Sequence, residues 1–216
     1  MSDLPIFDIS NFENFDSALI EANTIYEERL INKHKTINDL ESDVESEVIF
    51  YEPGRVGHDK DDSGIYERLK HFSSMGKDES HRKYDCIPCV NDSFTCDNDC
   101  HENFSADFLE NTRYERMFCS YRLSKIYWID EVLELYKNKD NRVIFFIEEN
   151  KKAIDDVTLF FQEKNKNFML FFRRIQKGKG RYKYFFITAY PVVVLSLINQ
   201  TKKKAKMFTK FGIIKK

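Results

Sequence analysis

Residues 142–194 constrain the fold most, because short apolar runs alternate there with polar turns. The runs are rich in β-branched and aromatic residues, which favours buried strands over helices of that length. Between the last two runs, Lys177-Gly178-Lys179-Gly180 supplies two glycines that tolerate a positive φ. The pattern predicts an antiparallel meander of about four strands. Its strands are expected at residues 143–147, 157–162, 167–175 and 181–188.

The hairpin predicted around the two glycines collects many basic side chains. They are Arg173, Arg174, Lys177, Lys179, Arg181 and Lys183. Tyr182, Tyr184 and Tyr190 lie close by in the sequence. Basic groups neutralise phosphates and tyrosine rings stack on unpaired bases, so the hairpin can form a surface for RNA. The alternative is that these charges fill the solvated face of a two-faced sheet.

Charge divides the chain into two unlike halves. Residues 1–110 carry 26 Asp and Glu against 10 Lys and Arg, whereas residues 111–216 carry 10 against 24. The basic half is therefore expected to bind anions, and RNA in particular. The acidic half can be a separate module, a phosphate mimic that screens the basic face, a docking surface for a basic protein partner, or an ordinary solvated surface.

Neither a membrane span nor an export signal is evident in the sequence. No apolar run approaches the roughly 20 residues that a spanning helix requires. The first ten residues lack a basic segment followed by an apolar core. We therefore expect a cytoplasmic protein without a membrane partner.

The N-terminal region has a helical pattern up to a cysteine-rich loop. Phe15, Leu19, Ala22 and Tyr26 recur at helical spacing, and residues 37–40 extend that apolar face beyond a break. The loop at 86–101 holds four thiols close together. They are Cys86, Cys89, Cys96 and Cys100. In a chain without an export signal this spacing favours a structural zinc, although a disulfide or redox loop and unligated thiols are alternatives. Cys119 lies in a helical pattern and is expected to be a buried core thiol.

From residue 105 onward a helical pattern, of either one long helix or two in sequence, places basic residues in pairs. Arg113 and Arg116 are three positions apart, as are Arg122 and Lys125. Each pair can present donors to one phosphate, or can form ordinary ion pairs on a helix surface. The predicted fold class is α+β. It consists of a helical, metal-loop N-terminal region at 1–104 and a basic domain at 105–216, in which a long helix packs on the four-stranded antiparallel meander.

Two motifs carry a family resemblance over about residues 113–195. A helix with Arg122-Leu-Ser-Lys-Ile-Tyr-Trp-Ile129, and a meander that closes on Phe186-Ile-Thr-Ala-Tyr-Pro191, resemble the BECR nucleases. That group is named for barnase, EndoU, the RNA-cleaving colicins and RelE, and the likeness is to its phage-associated branch. The resemblance implies a metal-independent toxin endoribonuclease that acts on RNA, often transfer RNA. For such a toxin, the protein partner expected on the acidic N-terminal half can be an antitoxin. It assigns functional positions to Arg122, Thr188 and Tyr190.

The chemistry of RNA cleavage leaves a gap in the basic half. Attack by a 2′-hydroxyl needs a base, an acid and cations for the developing charge. All five histidines lie in the acidic half. Either a histidine crosses from that half, or the site uses Arg122, Arg174 and Lys177 for charge and Thr188 or Tyr190 to orient groups and relay protons. The remaining candidates, Arg113, Arg116, Lys125, Arg173, Arg181 and Lys183, are predicted to bind RNA.

Two other functions fit the same sequence. One is a nucleic-acid-binding protein without catalysis, whose RNA affinity falls steeply with salt. The other is a zinc-stabilised interaction or regulatory protein whose acidic half docks a partner. Loss of cleavage with retained binding, after replacement of Thr188 and Tyr190, distinguishes catalysis from binding.

Overall fold

The structure is a computed structural model that describes residues 4–39, 44–76, 116–148, 154–163, 166–192, 206–209 and 212–214. For residues 75–76, 116–117, 206–209 and 212–214 it describes the backbone alone. A 3-10 turn, Ile9–Asn11, precedes the first helix, and a π-helical turn, Glu27–Ile31, follows it. The α-helices are α1 Phe15–Tyr26, α2 Glu67–Phe72, α3 Ser120–Leu123 and α4 Ile126–Lys137.

The strands form one large mixed sheet and one small pair. They are β1 Lys35–Asn38, β2 Glu45–Ile49, β3 Ser74–Gly76, β4 Arg116–Phe118, β5 Val143–Glu148, β6 Ile154–Glu163, β7 Lys166–Gly178, β8 Arg181–Pro191, β9 Lys206–Thr209 and β10 Gly212–Ile214. The large sheet has the order β1-β2-β8-β7-β6-β5-β9-β10, and β3 pairs with β4 separately. Six of its strands form a curled half-barrel. The pairing of β2 with β8 is parallel, and the other pairs are antiparallel.

Local sequence accounts for the start and the buried side of α1. The side-chain oxygen of Asn14 accepts a hydrogen bond from the Ser17 amide at 2.9 Å, and the Ser17 hydroxyl oxygen accepts one from the Asn14 amide at 3.4 Å. This reciprocal pair is a capping box, which satisfies two amides that the helix leaves free. Leu19, Ala22 and Tyr26 are buried at three- and four-residue spacing, which confirms the predicted helical pattern.

The main core lies between one face of the large sheet and the helices α1, α2 and α4. Trp128 of α4 makes edge contacts with the rings of Phe161 and Phe168, at centroid distances of 6.1 and 5.6 Å. Its indole nitrogen donates to the Pro5 carbonyl at 2.8 Å, so its one polar atom is satisfied. Residues from both halves of the sequence thus share one core.

The predicted fold, a helical N-terminal region followed by a long helix on a four-stranded antiparallel meander, is wrong. Strands β5 to β8 follow one another as antiparallel neighbours, but they are the middle of a mixed eight-stranded sheet. The N-terminal region adds β1 and β2 to that sheet, and residues 37–38 belong to a strand rather than to a helix. Over the described residues 116–137, the predicted helical stretch consists of a strand, β4, and two helices in sequence, α3 and α4.

The physical reason is that local periodicity does not report long-range pairing. Glu47 of β2 pairs with Lys183 of β8, and no pattern within either segment identifies such a partner. The helical pattern from 105 onward is also interrupted at Lys125, whose backbone (φ −99, ψ 15) leaves the helical region before α4 begins.

The predictions of a metal site, a domain boundary, a membrane span and a buried thiol can be compared only with the described residues. Among these residues, no group of three or more His, Cys, Asp or Glu side chains is arranged to hold a metal ion. The predicted zinc ligands and the domain boundary at 104 and 105 lie within 77–115, outside the described residues. Within the described part of the chain, no helix is long and apolar enough to cross a membrane. Cys119 is 5% exposed, which confirms a buried core thiol.

Candidate active site

A β-bulge in β8 determines which of its side chains face away from the core. Phe172 of β7 pairs with Phe186, whereas the preceding residue, Phe171, pairs with Thr188. Ile187 is therefore an extra residue in β8. A one-residue shift moves every later side chain to the opposite face of a strand.

The consequence is visible in the packing of the last β8 residues. Phe186 and Ala189 are both fully buried in the main core, although an uninterrupted strand would place them on opposite faces. Tyr190 packs in a second, smaller cluster, and Thr188 shares its face. We call this second face of the sheet, opposite α1 and α4, the cleft face.

Cross-strand pairing arranges the cleft face in three rows. We name them the apolar row, the mixed row and the charged row. From β8 to β5, the apolar row is Tyr190, Met169, Phe160 and Ile144; the mixed row is Thr188, Phe171, Thr158 and Phe146; the charged row is Phe185, Arg173, Asp156 and Glu148. A cleft of about 310 Å³ lies over the mixed and charged rows and reaches Tyr190. That volume is at the lower end of the range for small-ligand pockets, about 300–1,000 Å³.

Helix α2 brings a histidine to the β8 edge of this cleft. Leu69 and Phe72 are buried in the core. Arg68 and His71 lie on the adjacent side of α2, which contacts β8. A guanidinium nitrogen of Arg68 donates to the Ile187 carbonyl at 2.9 Å and so satisfies the bulged residue. His71 Nδ1 lies 3.0 Å from Thr188 Oγ1, within hydrogen-bond distance. Thr188, at 8% exposure, lines the cleft beside this imidazole.

An ion pair fixes the position of α2. Lys70 pairs with Asp61, and both side chains are about 10% exposed. Asp61 in turn accepts hydrogen bonds from the Ser63 and Ile65 amides at 3.0 and 2.9 Å. Burial lowers the pKa of Lys70 from its usual value. The pair therefore ties α2 to the turn that precedes it, one residue before His71.

Arg122 lies at the other end of the same edge. It is 4% exposed, and a guanidinium nitrogen donates to the Ser74 carbonyl at 2.5 Å. The guanidinium carbon is 5.2 Å from the centre of the Tyr190 ring, which is a cation-π distance. The Tyr190 ring stacks on Phe171 with centroids 4.9 Å apart. A buried positive charge thus lies beside the tyrosine that borders the cleft.

Three of the five predicted catalytic residues come together at this edge. Thr188 and Tyr190 line the cleft, and Arg122 lies against Tyr190. Lys177 is exposed near the far end of the β7–β8 hairpin, where Gly178 pairs with Arg181. That end of the hairpin is separated from Thr188 by most of the length of β8.

Arg174 has a structural environment on the core face. It is 3% exposed and pairs with the carboxylates of Asp39 and Asp155, both at 2.7 Å. Asp39 is fully buried and also accepts a hydrogen bond from the Tyr184 hydroxyl. Burial, together with the negative charge of Asp39, raises the pKa of Tyr184 well above its usual value. This network joins the segment after β1 to β6, β7 and β8.

The predicted RNA-binding residues are dispersed. Arg173 lies in the charged row, 3.9 Å from Asp156. Lys183 pairs with Glu47 at 2.9 Å, and Lys125 is buried against the rings of Tyr121 and Trp128. Arg181 is exposed in the hairpin, only the backbone is described for Arg116, and Arg113 lies outside the described residues.

Sequence reasoning did not identify His71 or Arg68 as site residues. His71 is 117 positions from Thr188 and lies in a short helix of the acidic half. The one available signal was indirect, since the basic half lacks a histidine and its chemistry would be completed by one from elsewhere.

Comparison of the chain with known protein families, with curated proteins and with solved structures finds no match in any of the three. The likeness to BECR nucleases rests on the two short motifs quoted above. A function for this protein is therefore argued from the chemistry of the site.

Proposed function

We propose that this protein is an endoribonuclease that cleaves RNA by attack of a 2′-hydroxyl on the adjacent phosphate, without a metal ion. The observation that carries the proposal is the 3.0 Å contact between His71 Nδ1 and Thr188 Oγ1. It supplies the cleft edge with the acid–base group that the basic half lacks. A toxin role, transfer RNA as the target and an antitoxin as partner are proposed from the family resemblance alone.

The proposed reaction uses His71 as the base and Tyr190 as the acid. In the tautomer in which Nδ1 donates to Thr188, Nε2 carries the lone pair and accepts the 2′-hydroxyl proton. The 2′-oxygen attacks phosphorus, the bond from phosphorus to the 5′-oxygen breaks, and the Tyr190 hydroxyl donates a proton to that oxygen. The products are a 2′,3′-cyclic phosphate and a 5′-hydroxyl, and no oxidant or reductant is involved.

The spacing along β8 suits this division of roles. Thr188 and Tyr190 are two residues apart on one face of the strand, which corresponds to about 7 Å. A phosphate between them can be approached by the imidazole on one side and by the phenol on the other. Thr188 then acts as a positioning residue, because it holds the imidazole and does not itself exchange a proton with RNA.

Arg122 contributes charge from beneath the site. Its guanidinium is almost fully buried beside Tyr190, where few water molecules can screen it. Charges act more strongly in such an environment than in water, and a fixed cation stabilises negative charge that develops in a transition state. The stacked rings of Phe171 and Tyr190 offer an aromatic surface for an unpaired base.

A second candidate function is RNA binding without cleavage. It is favoured by the buried state of Arg122, whose guanidinium already donates to the Ser74 carbonyl and stabilises the β8 edge. The aromatic and cationic side chains of the cleft face would then hold RNA that stays intact. A zinc-stabilised interaction protein with a partner on its acidic half remains a prediction, since its zinc ligands lie outside the described part of the chain.

The test is incubation of the purified protein with total RNA in excess EDTA. Wild-type protein is compared with His71→Gln, and His34→Gln serves as the matched control because His34 is exposed and outside the cleft. We expect wild type and His34→Gln to produce discrete fragments with 2′,3′-cyclic phosphate ends. His71→Gln should be slower by roughly 100- to 10,000-fold, the usual contribution of a general base or acid.

Two results would contradict the proposal. Intact RNA with all three proteins, each shown to be folded by circular dichroism, would support binding without catalysis. Equal cleavage by wild type and His71→Gln would show that a cleaving group lies elsewhere.

A further inference from the structure

Three arginines from different elements meet around the bulged part of β8. Arg55 comes from the loop at 52–58, Arg68 from α2 and Arg173 from β7. We call them the arginine cluster. Arg173 was considered from the sequence, whereas Arg55 and Arg68 have no role in the proposed reaction.

The contacts of the cluster place it at the β8 end of the charged row. The guanidinium carbon of Arg55 lies 3.6 Å from the centre of the Phe185 ring, and Phe185 pairs with Arg173 on the neighbouring strand. Arg68 donates to the carbonyl of Ile187, two residues farther along β8. Three cations thus surround a segment of three residues.

The loop that carries Arg55 is shaped to close on Arg68. Gly57 has a φ of +76, and a Cβ atom built there would lie 3.0 Å from a guanidinium nitrogen of Arg68. A residue with a side chain would be strained in that conformation and would also press on the guanidinium. The glycine therefore permits the close approach of loop and helix.

Acidic side chains lie near the cluster, but the positive charges of its arginines still act on one another. Glu52 pairs with Arg55 at 3.0 Å, and Asp156 lies 3.9 Å from Arg173. Arg68 Nε is buried and has no hydrogen-bond partner among the described residues. Burial above all lowers the pKa of Arg68, and the positive charges of Arg55 and Arg173 lower it further, whereas Tyr26 and Glu67 act in the opposite direction. An anion next to these guanidiniums would relieve the repulsion between them.

We propose that the arginine cluster binds the backbone phosphate next to the one that reacts at His71 and Thr188. The inference rests on the proposed function, and it makes the substrate an RNA with at least two consecutive phosphates. The charged row and the mixed row are adjacent on the cleft face, and a step of one row along a strand is about 7 Å. That step is of the same order as the spacing of successive phosphates in an extended strand.

Within the cluster, Arg55 and Arg173 make the contact with the ligand. Their side chains are 28% and 47% exposed, so both guanidiniums are accessible from solvent. Arg68 lies behind them and contributes charge while it holds the bulge. Arginine suits this role because its planar donors match the oxygens of a phosphate.

The first test compares a dinucleoside monophosphate with two longer substrates, in which one nucleotide is added at the 5′ end or at the 3′ end. We expect the added phosphate to raise the kcat/KM of the wild type roughly tenfold, which is the effect of one charge-assisted hydrogen bond. In Arg55→Gln this gain should disappear, whereas Arg55→Lys should keep part of it. Lys33→Gln is the control, since Lys33 is exposed and outside the cluster.

The second measurement does not depend on cleavage. Binding of a 2′-O-methyl trinucleotide, which lacks the attacking hydroxyl, is followed by fluorescence anisotropy at several salt concentrations. For single strands the salt slope is about −0.7 per neutralised phosphate, so Arg55→Gln should reduce its magnitude by about 0.7.

The outcomes separate this inference from the proposed function. If the wild type cleaves RNA but Arg55→Gln gains as much from the added phosphate as the wild type does, the phosphate site is wrong and the nuclease stands. If the wild type leaves RNA intact while the salt slope still depends on Arg55, the nuclease is wrong and the phosphate site stands. An unchanged slope in Arg55→Gln overturns the phosphate site in either case.

Discussion

Arg173 and Arg174 are neighbours in the sequence and have opposite environments. Arg174 faces the core, is 3% exposed and is held by two carboxylates at 2.7 Å. Arg173 faces the cleft, is about half exposed and lies 3.9 Å from its one described acidic neighbour, Asp156. The difference follows from strand alternation, since successive side chains point to opposite faces of a sheet. A run of basic residues in a strand therefore has two roles rather than one.

The same division applies to the whole sheet. The core face is covered by helices and its polar groups form closed networks, such as that of Asp39, Tyr184 and Arg174. The cleft face carries charged, aromatic and hydroxyl side chains in rows, and it receives His71 at its edge. Stability and the proposed chemistry are thus assigned to different faces, and mutations can test that assignment.

The largest effect is expected for removal of Arg174. Arg174→Met leaves Asp39 and Asp155 without their cation, and loss of one partner of a buried ion pair costs about 3–5 kcal/mol of unfolding free energy. Arg173→Met, the matched change on the cleft face, should alter it by less than about 0.5 kcal/mol. Urea unfolding of both variants measures the difference. Equal losses would show that the two faces do not divide the roles in this way.

The next effect concerns the pH dependence of stability through His58. This residue ends the loop at 52–58, is fully buried and contacts the ring of Phe185. Burial, aided by the charges of Arg68 and Arg55, lowers the pKa of His58 to about 4. In the unfolded chain the pKa of His58 has its ordinary value of about 6.5. Between pH 6.5 and pH 4 the unfolded chain therefore binds a proton that the folded protein does not. Through His58, no unfolding free energy is lost above about pH 6.5, and it decreases as the pH falls from 6.5 toward 4.

This pH effect is measurable as a difference between two proteins. From pH 7 to pH 4.5 the wild type should lose roughly 2–3 kcal/mol of unfolding free energy through His58. His58→Leu lacks the titrating group and should lose that much less, whereas His34→Gln should follow the wild type. Urea unfolding at both pH values gives the comparison, and parallel losses in wild type and His58→Leu would refute it.

The strands between residues 143 and 191 could be predicted because their signals are local. An apolar run followed by a polar turn predicts a strand wherever its partners lie. The order of the sheet could not be predicted, since β2 reaches β8 across more than half of the chain and α2 covers the rest of that edge. Residues 37–40 were predicted to extend the helical face, but Ile37 and Asn38 pair with β2 as part of a strand.

The site was predictable only in part, for the same reason. Thr188 and Tyr190 belong to one short motif, but it is the bulge at Ile187, created by pairing with β7, that turns both side chains toward the cleft rather than the core. Arg174 and Arg122 are the same residue type and were predicted to have the same role. The ion pair of Arg174 with the buried Asp39, on the core face, distinguishes it from Arg122. His71 carries no local mark of function, because its meaning depends on contact with Thr188.

A smaller effect should follow from removal of the Thr188 hydroxyl. Thr188→Val keeps the shape of the side chain and removes the hydrogen bond to His71, so kcat should fall roughly tenfold, in line with a bond of about 1–1.5 kcal/mol. Thr188→Ser retains the hydroxyl and should retain most of the activity. A merely structural role would lower the melting temperature of Thr188→Val without a change of kcat in the folded protein.

The smallest effect is expected at Asp156 in the charged row. Asp156→Asn removes a negative charge from the cleft. The affinity for single-stranded RNA should rise roughly 1.4- to fivefold at low salt, because one surface charge contributes about 0.2–1 kcal/mol. The gain should shrink as salt is added, because exposed charges are screened. Fluorescence anisotropy with a 2′-O-methyl oligonucleotide measures it, and a loss of affinity would contradict the assignment of RNA to this face.

The central claim is that His71 acts in catalysis at the cleft face and does not merely bind RNA. The most direct test measures, for wild type and His71→Gln, both the rate of cleavage of a short RNA in EDTA and the affinity for its 2′-O-methyl form. We expect a rate at least 100-fold lower in the variant, with an affinity within about threefold of that of the wild type. Equal rates, or a loss of rate fully matched by a loss of affinity, would contradict it.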